Sequence, residues 1–328
     1  MPHDVITFGE AMVRLSPPSF KRIEQADSLD LQVGGAELNT AVGLARLGRS
    51  TAWVSRLTRN PLGRLIANRA REAGVSTDHV VWTDEDRVGL YFLEFGASPR
   101  ASGVLYDRKS SAIAAVRPGQ VPWGKVFEGA RWFHVTGITP ALSPTAAEAT
   151  REALQAARAA GVKTSIDLNY RVKLWSTAEA GRWMSEFMRT CDVLVTTEED
   201  TERVFGITGK DYEEVAARVA ARFPLQVVAI TLRENPLVWR NSWTAIAYQG
   251  GKVHRTRGYE VEIVDRLGAG DSFAAGLIHG LLDGDLQKGL DYGVAASAIK
   301  HSIPGDFAWI TRDEVEALLK GGGLRISR

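Results

Sequence analysis

The stretch that decides the fold covers residues 263–276 and reads Ile-Val-Asp-Arg-Leu-Gly-Ala-Gly-Asp-Ser-Phe-Ala-Ala-Gly. An apolar strand ends here, the small residues Gly268, Ala269 and Gly270 form a turn, and a helix begins near Asp271. Such a turn lets the backbone approach a ligand closely, and the free N–H groups at a helix start favour an anion such as a phosphate. The stretch therefore predicts a strand–turn–helix unit of an α/β protein, with an anion site at the turn.

Asp271 stands in the first turn of this helix, where the helix dipole favours an ionised carboxylate. A carboxylate beside bound phosphates can accept the proton of an attacking hydroxyl group, as phosphoryl transfer requires. Aspartate is also a common helix cap. The Gly-Ala-Gly-Asp run taken alone leaves both interpretations open.

The rest of the chain alternates short β-rich runs with helical patterns. Strands are predicted at residues 5–8, 132–135, 164–167, 193–195 and 227–230. The helix after the second run has Ser143 as N-cap, Pro144 in its first turn and Gly161 as a stop. From Gly268 onward the pattern is helical, with breaks at 283–285 and 304–305. This order predicts a mostly parallel sheet covered by helices.

Two stretches interrupt the alternation, at about residues 12–34 and 88–109, and both have the pattern of extended chain. We expect them to pair into a small sheet that projects from the main domain. Open α/β sheets bind ligands at the carboxyl ends of their strands, so a small sheet placed there would act as a lid.

Composition narrows the class of protein. The 328 residues are 45% hydrophobic and 24% charged, and no linker divides residues 1–328, which favours one folded domain. With 40 basic and 39 acidic residues the formal net charge is +1, so neither nucleic acid nor a membrane surface is an expected partner.

The single cysteine, Cys191, cannot form an internal disulfide and is predicted to be a core thiol. Without a leader or an apolar run long enough to span a bilayer, the expected location is the cytoplasm.

A second glycine cluster, Gly34-Gly35-Ala36-Glu37-Leu38-Asn39, precedes an amphipathic helix. Together with the Gly-Ala-Gly-Asp run it resembles the two signatures of the ribokinase-like (PfkB) carbohydrate kinases. The resemblance extends over nearly the whole chain and implies a three-layer α/β sandwich with a mostly parallel central sheet and a small β-sheet lid. The sequence contains no Walker loop, and no Gly-x-Gly-x-x-Gly follows the first strand.

The resemblance also implies the partners and roles of several residues. ATP and Mg²⁺ are the expected cofactors, a monovalent cation is a further candidate, and Asp271 would be the catalytic base. In the family the first cluster closes against the sugar and the second holds the triphosphate. The residues that this assigns are Gly34, Gly35 and Asn39 for substrate, Gly268, Ala269 and Gly270 for catalysis, and Asn169, Thr231 and Arg233 for the nucleotide.

Within the family, the likeness is greatest to kinases of six-carbon keto acids, 2-keto-3-deoxygluconate among them. Tyr91, Tyr106, Arg108 and Arg171 match the residues with which such kinases bind the acid, and two guanidinium groups suit a carboxylate. Asp306 matches a further carboxylate that either binds substrate or caps a helix. Each arginine is also a candidate surface ion pair, and each tyrosine a packing or dimer contact, but the occurrence of all four together favours substrate binding. A kinase of a neutral sugar or a nucleoside, and a non-catalytic sugar-binding regulator on the same scaffold, remain alternatives.

Three segments depart from the family pattern. Arg266 and Leu267 follow Asp265, a candidate ligand for the monovalent cation. Thr197 and Asp200 stand where the family has Asn and Glu near magnesium, so that Glu199 and Asp200 are only weak outer-shell candidates. Residues 231–236 lack the usual glycine turn beside the nucleotide, and the adenine is expected against the helix around residues 295–300. A symmetric dimer or higher oligomer through the lid edge is also expected.

Overall fold

The computed structural model describes residues 2–237 and 240–321, with the side chains of 233–241 outside the described part. Its strands are β1 (Val5–Phe8), β2 (Met12–Ser16), β3 (Asp30–Gly34), β4 (Thr51–Val54), β5 (Arg56–Thr58), β6 (Val75–Ser76), β7 (Val81–Thr83), β8 (Leu90–Glu94), β9 (Gly103–Asp107), β10 (Trp132–Thr136), β11 (Lys163–Asp167), β12 (Val193–Thr196), β13 (Val227–Leu237), β14 (Arg240–Gln249), β15 (Lys252–Arg255) and β16 (Tyr259–Glu262).

The α-helices are α1 (Ala36–Arg46), α2 (Pro61–Glu72), α3 (Trp123–Val126), α4 (Ile138–Ala141), α5 (Pro144–Ala159), α6 (Thr177–Phe187), α7 (Glu198–Phe205), α8 (Tyr212–Arg222), α9 (Ala269–Leu282), α10 (Leu286–Lys300) and α11 (Arg312–Leu319). All five predicted strands are confirmed, as is helix α5, whose N-cap Ser143 accepts from the Ala146 N–H. None of the described helices has the length and apolar character needed to cross a bilayer.

The central sheet has the strand order β15-β14-β13-β12-β11-β10-β1-β4-β6, with β16 paired to β14. Strands β13 to β6 in this order run parallel, and β14 and β15 add an antiparallel edge. The predicted mostly parallel sheet is therefore confirmed. The sequence patterns did not identify β4, β6 or the antiparallel edge.

Alternate residues of each central strand enter two different cores. Ile6, Phe133 and Leu194 pack with residues of α5, α6 and α8 on one face. Val5 and Val193 pack with residues of α9 and α10 on the other. Successive side chains of a strand point to opposite faces of the sheet. Because helices cover both faces here, apolar residues occur at successive positions of the central strands. The result is the three-layer arrangement implied by the resemblance.

The two interrupting segments form a separate four-stranded sheet of order β3-β2-β8-β9. Strands β2 and β3 come from the first segment and β8 and β9 from the second, and the two halves join through the parallel β2–β8 pair. One face of this small sheet carries Arg14, Tyr91 and Tyr106, which are aligned across neighbouring strands. That face lines the main cavity of the protein.

Candidate active site

A cavity of about 440 Å³ lies between the carboxyl ends of the central strands and the small sheet. The predicted site residues that line it are Gly34, Gly35, Asn39, Tyr91, Tyr106, Arg108, Asn169, Arg171, Glu199, Asp200, Thr231, Gly268, Gly270, Asp271 and Asp306. Ala269 is buried beside it, and its carbonyl accepts a hydrogen bond from Ser297 Oγ at 2.7 Å. Arg233 lies in β13, but its side chain is outside the described part of the chain.

The glycine turn places Asp271 in the first turn of α9. Gly268 has a φ of 81°, a left-handed conformation, and a Cβ there would meet the Asp306 carbonyl oxygen at 1.9 Å. Glycine is required on both counts, since other residues adopt this conformation rarely and none would fit. The predicted turn before the helix is confirmed, and it aims the Asp271 carboxylate into the cavity.

Asp271 is held by one side chain of the first glycine cluster. Its Oδ2 accepts a hydrogen bond from Asn39 Nδ2 at 2.7 Å, and Asn39 Oδ1 accepts from the Gly35 N–H at 3.3 Å. Burial raises the pKa of Asp271 to about 6, although the bond from Asn39 and the positive charge of Arg171 oppose that rise. A carboxylate with a pKa near neutrality, fixed in one orientation, is suited to general base catalysis. Asn39, predicted to bind substrate, here holds the Asp271 carboxylate in place.

Asp306 connects the two glycine clusters and the small sheet. It accepts hydrogen bonds from the Tyr91 hydroxyl at 2.6 Å and from Arg14 Nη1 at 2.8 Å. A Cβ on Gly34 would meet the Asp306 carboxylate at 2.2 Å, so this glycine permits the close approach. The helix-capping alternative for Asp306 is wrong, because α11 begins after Thr311, which caps it.

Arg14 is a site residue that sequence reasoning missed. Its side chain is 1% exposed and forms salt bridges with Asp265 at 2.7 Å and Asp306 at 2.8 Å. An arginine between Val13 and Leu15 in a buried strand is the available signal, since a buried charge needs a partner. The sequence alone could not say which carboxylates those partners are.

Arg108 lies just beyond the end of β9 and pairs with a carboxylate that was also missed. Its Nη2 donates to Glu10 Oε2, and Ser111 Oγ donates to Glu10 Oε1 at 2.5 Å. The Arg108 guanidinium carbon is 5.4 Å from the centroid of the Tyr106 ring. The buried Arg108 Nε–H has no hydrogen-bond partner within the described residues. The Arg108 side chain is 10% exposed and lines the cavity, so the exposed part of its guanidinium group faces the space where a ligand would lie.

The loop after β11 brings Asn169 and Arg171 to the opposite side of the cavity. Asn169 has a φ of 40°, and Arg171 Nη1 donates to the Tyr170 carbonyl at 3.0 Å. The Arg171 charge lowers the pKa values of both Asp271 and Asp200. Arg171 thus acts on the end of the cavity that holds Asp271, whereas Arg108 lies under the small sheet.

Asp200 faces the cavity from the first turn of α7. Its Oδ2 accepts from the Tyr170 N–H at 3.2 Å, and burial raises its pKa. The Thr197 side chain accepts from the Asp200 N–H as the cap of α7, so its hydroxyl is used locally. Glu199 is exposed and pairs with Arg203 at 2.6 Å. Among the described residues, no three metal-ligating side chains cluster tightly enough to hold a metal ion.

The expected adenine surface at 295–300 is wrong for at least two of its residues. Ala295 and Lys300 are fully buried, and they do not line the cavity. The helix α10 faces the core along this stretch, where Ser297 and Lys300 bond to backbone carbonyls of the neighbouring turn. These side chains offer no surface to a base.

Comparison with known proteins gives this cavity a family. The model of the pfkB family carbohydrate kinases matches residues 2–306. A 2-dehydro-3-deoxygalactonokinase of Haloferax volcanii is 40% identical, over all of both chains. A 2-dehydro-3-deoxygluconokinase of Bacillus subtilis is 30% identical, over 96% of this chain and 95% of the relative. The crystal structure of 2-dehydro-3-deoxygluconokinase from Thermotoga maritima is 45% identical with a TM-score of 0.94, over 97% of this chain and 99% of the other. With its two glycine clusters meeting at one cavity, the chain belongs to the pfkB family of carbohydrate kinases.

Proposed function

We propose that this enzyme transfers the γ-phosphoryl group of ATP to the terminal hydroxyl of 2-keto-3-deoxygluconate or of its galactonate epimer. The observation that carries the proposal is the polarity of the cavity, which has the Asp271 carboxylate at the glycine turn and a buried guanidinium under the small sheet. A keto acid has its reacting hydroxyl and its carboxylate at opposite ends, so the two features match one extended molecule. The names of the relatives favour the same substrate class.

The nucleotide end is the start of α9. We place the triphosphate over residues 268–271, where the backbone N–H groups of the first helical turn and the positive helix end stabilise phosphate charge. Asn169 and Thr231 line the same region, and Arg233 is assigned to it by its position in β13.

Magnesium fits this end of the cavity as an ion bound mainly through water and phosphate. Asp200 carries a carboxylate whose pKa is raised by burial, so a nearby cation would stabilise its ionised form. When bound, Mg²⁺ would neutralise charge that develops on the transferring phosphoryl group. Asp200 and Glu199 would hold it through its water shell.

The chemical step assigned to the chain is a proton transfer. Asp271 accepts the proton of the substrate hydroxyl as the hydroxyl oxygen attacks the γ-phosphorus in line. The bond from the γ-phosphorus to the β–γ bridging oxygen breaks, ADP leaves, and the backbone N–H groups stabilise the phosphoryl oxygens. Asn39 keeps the accepting carboxylate oriented. Arg171 acts at the same end, where its charge favours the ionised base and the phosphoryl group.

The acid end lies under the small sheet. We assign the substrate carboxylate to Arg108, whose guanidinium group lines this end of the cavity. Tyr91 and Tyr106 stack with ring centroids 5.8 Å apart and complete this wall with Gly34, Gly35 and Asp306. In this proposal residues 1–328 form one kinase domain in the cytoplasm, and the small sheet is a lid whose closure excludes water.

A coupled kinase assay across keto acids and neutral sugars tests the proposal. We expect ATP-dependent turnover with the gluconate- or galactonate-derived keto acid, and kcat/KM values for fructose, ribose and nucleosides lower by about 100-fold or more. Preferred turnover of a neutral sugar would favour the rival kinase. Sugar binding by calorimetry without ATP consumption would favour a non-catalytic regulator.

The outer face of the lid supports an oligomer. Leu31, Leu15, Phe92 and Leu105 align across the four strands, and Leu31 and Leu105 are 43% and 61% exposed. An exposed apolar row across one face of a small sheet is a natural surface for a second copy of the chain. We propose that two lids pack together through this row.

The double substitution Leu31→Asp, Leu105→Asp should convert the oligomer to a monomer, because it places charges in the proposed contact. Light scattering after gel filtration measures the mass. Leu62→Asp is a matched control on α2, where Leu62 is 39% exposed and lies outside the lid. A wild-type monomer, or an unchanged mass in the double variant, would contradict the lid contact.

A further inference from the structure

The buried ammonium of Lys300 lies directly behind the glycine turn that receives the phosphates. Lys300 is the last residue of α10 and is fully buried. Its Nζ donates to the Asp265 carbonyl and to the Ile303 carbonyl, each at 3.0 Å. It thereby joins the strand end before the glycine turn to the loop that carries Asp306.

The position of Lys300 coincides with the place where a monovalent cation was expected. That expectation rested on Asp265, and the oxygens that Asp265 can offer to a cation are its carbonyl and its two carboxylate oxygens. In the structure, each of these oxygens already accepts a hydrogen bond. The carbonyl accepts from Lys300, Oδ1 accepts from the Leu267 N–H at 3.1 Å, and Oδ2 accepts from the Gly305 N–H at 2.9 Å and pairs with Arg14 at 2.7 Å.

The charges around Asp265 also oppose a further cation. Two buried cations, Arg14 and Lys300, stand beside two buried carboxylates, Asp265 and Asp306. Burial lowers the pKa of the Lys300 ammonium, and the negative charges of Asp265 and Asp306 raise it. The cluster is close to neutral as it stands, so a metal ion would add uncompensated buried charge.

We propose that the Lys300 ammonium takes the place of a monovalent metal ion in this enzyme and fixes the glycine turn for phosphoryl transfer without potassium or sodium. Lys300 acts through the backbone of the turn and does not reach the reacting atoms, so it is a positioning residue. The inference rests on the proposed kinase activity.

The wild-type enzyme provides the first test. Its turnover should differ by less than about twofold among choline, sodium, potassium and ammonium chloride at one ionic strength, because the cation is part of the chain. Activation by potassium or ammonium of about fivefold or more would overturn the proposal. If no acceptor is phosphorylated at all, that result contradicts the proposed kinase function and not the role of Lys300. The role of Lys300 is then tested by the effect of each salt on the melting temperatures of the wild type and the Lys300 variant.

Lys300→Ala provides the second test. It leaves two buried carbonyls without their donor, so kcat in choline chloride should fall by about 10- to 100-fold. Potassium, ammonium or methylammonium should restore part of that loss and raise the melting temperature of the variant, while leaving the wild type unchanged. Lys288→Ala, on the same helix but partly exposed, is the control and should respond to no cation.

Two results with Lys300→Ala would overturn the proposal. The first is a variant that is as active as the wild type in choline chloride. The second is a variant that folds and is impaired, but whose activity no cation restores, because a lysine with a purely structural role would give that result. If the alanine variant does not fold, Lys300→Met is used in the same series, and the wild-type salt dependence decides the proposal if neither folds.

Discussion

Asp271→Asn should lower kcat by about 1,000-fold or more, because general base catalysis contributes about 10²- to 10⁴-fold and the amide cannot accept the proton. The substitution keeps the shape of the side chain and an oxygen that can accept the hydrogen bond from Asn39. Calorimetric titration with ATP should give nearly unchanged affinity. Asp283→Asn, at the other end of α9, is the control and should keep its turnover. Retained activity in the Asp271 variant would refute the assigned base.

The same carboxyl group should set the acid limb of the pH–rate profile. Because the pKa of Asp271 is raised to about 6, kcat/KM should fall about tenfold per pH unit below that value. Above it the base is ionised and the limb should be flat. A profile with no break near pH 6 would contradict the role.

Asp271→Asn should also stabilise the protein at alkaline pH. A folded pKa above the unfolded value of 3.8 means that the contribution to stability is complete below pH 3.8 and is lost as the pH rises through about 6. The wild type then carries a buried charge that costs up to about 3 kcal/mol. The melting temperature of the variant should exceed that of the wild type at pH 8, and the difference should vanish near pH 4.

Arg108→Met should raise KM for the keto acid by about 10- to 150-fold, because a charge-assisted hydrogen bond contributes about 1.5–3 kcal/mol. For a neutral sugar, KM should change little. Arg171 lies at the phosphoryl end, so Arg171→Met should lower kcat with either type of acceptor. Initial rates over a range of acceptor concentrations measure both effects.

Loss of Arg108 also leaves Glu10 without its partner, and Glu10 is 2% exposed. The double variant Glu10→Gln, Arg108→Met removes that unpaired charge. Its KM for the keto acid then reports the loss of the guanidinium group alone, without repulsion between Glu10 and the substrate carboxylate. Arg87→Met is the control, since Arg87 pairs with Asp107 at 2.5 Å on the lid and does not line the cavity. Equal effects of Arg108→Met on acid and neutral acceptors would exclude a carboxylate contact.

Several parts of the fold could be predicted because their signals are local. Ser143 and Pro144 mark a helix start through hydrogen bonding and a fixed backbone angle, and the structure begins α5 there. Gly206 ends α7 in the left-handed conformation, as a glycine at a helix end predicts. The antiparallel edge was missed because β14 depends on pairing with β13 and β15, which a single strand pattern does not reveal.

The sequence indicated many of the residues that line the cavity, but it did not indicate which of them contact one another. Asn39 lines the cavity, but its hydrogen bond to Asp271 joins residues 232 positions apart in the sequence, which no local pattern indicates. Arg14, in β2, and Glu10, in the connection between β1 and β2, were missed because a single charged residue shows at most that a partner must exist. Lys300 was expected near the adenine and is instead buried behind the turn.

The sequence by itself determined the alternation of strands and helices, the glycine turn before Asp271 and the two extended segments of the small sheet, because each depends on neighbours a few positions apart. Only the tertiary structure decided which charges meet. Arg14, Asp265, Asp306 and Lys300 come together from distant parts of the chain. A buried charge is tolerated only beside its partners, and those partners are set by how the sheet, its helices and the lid pack together.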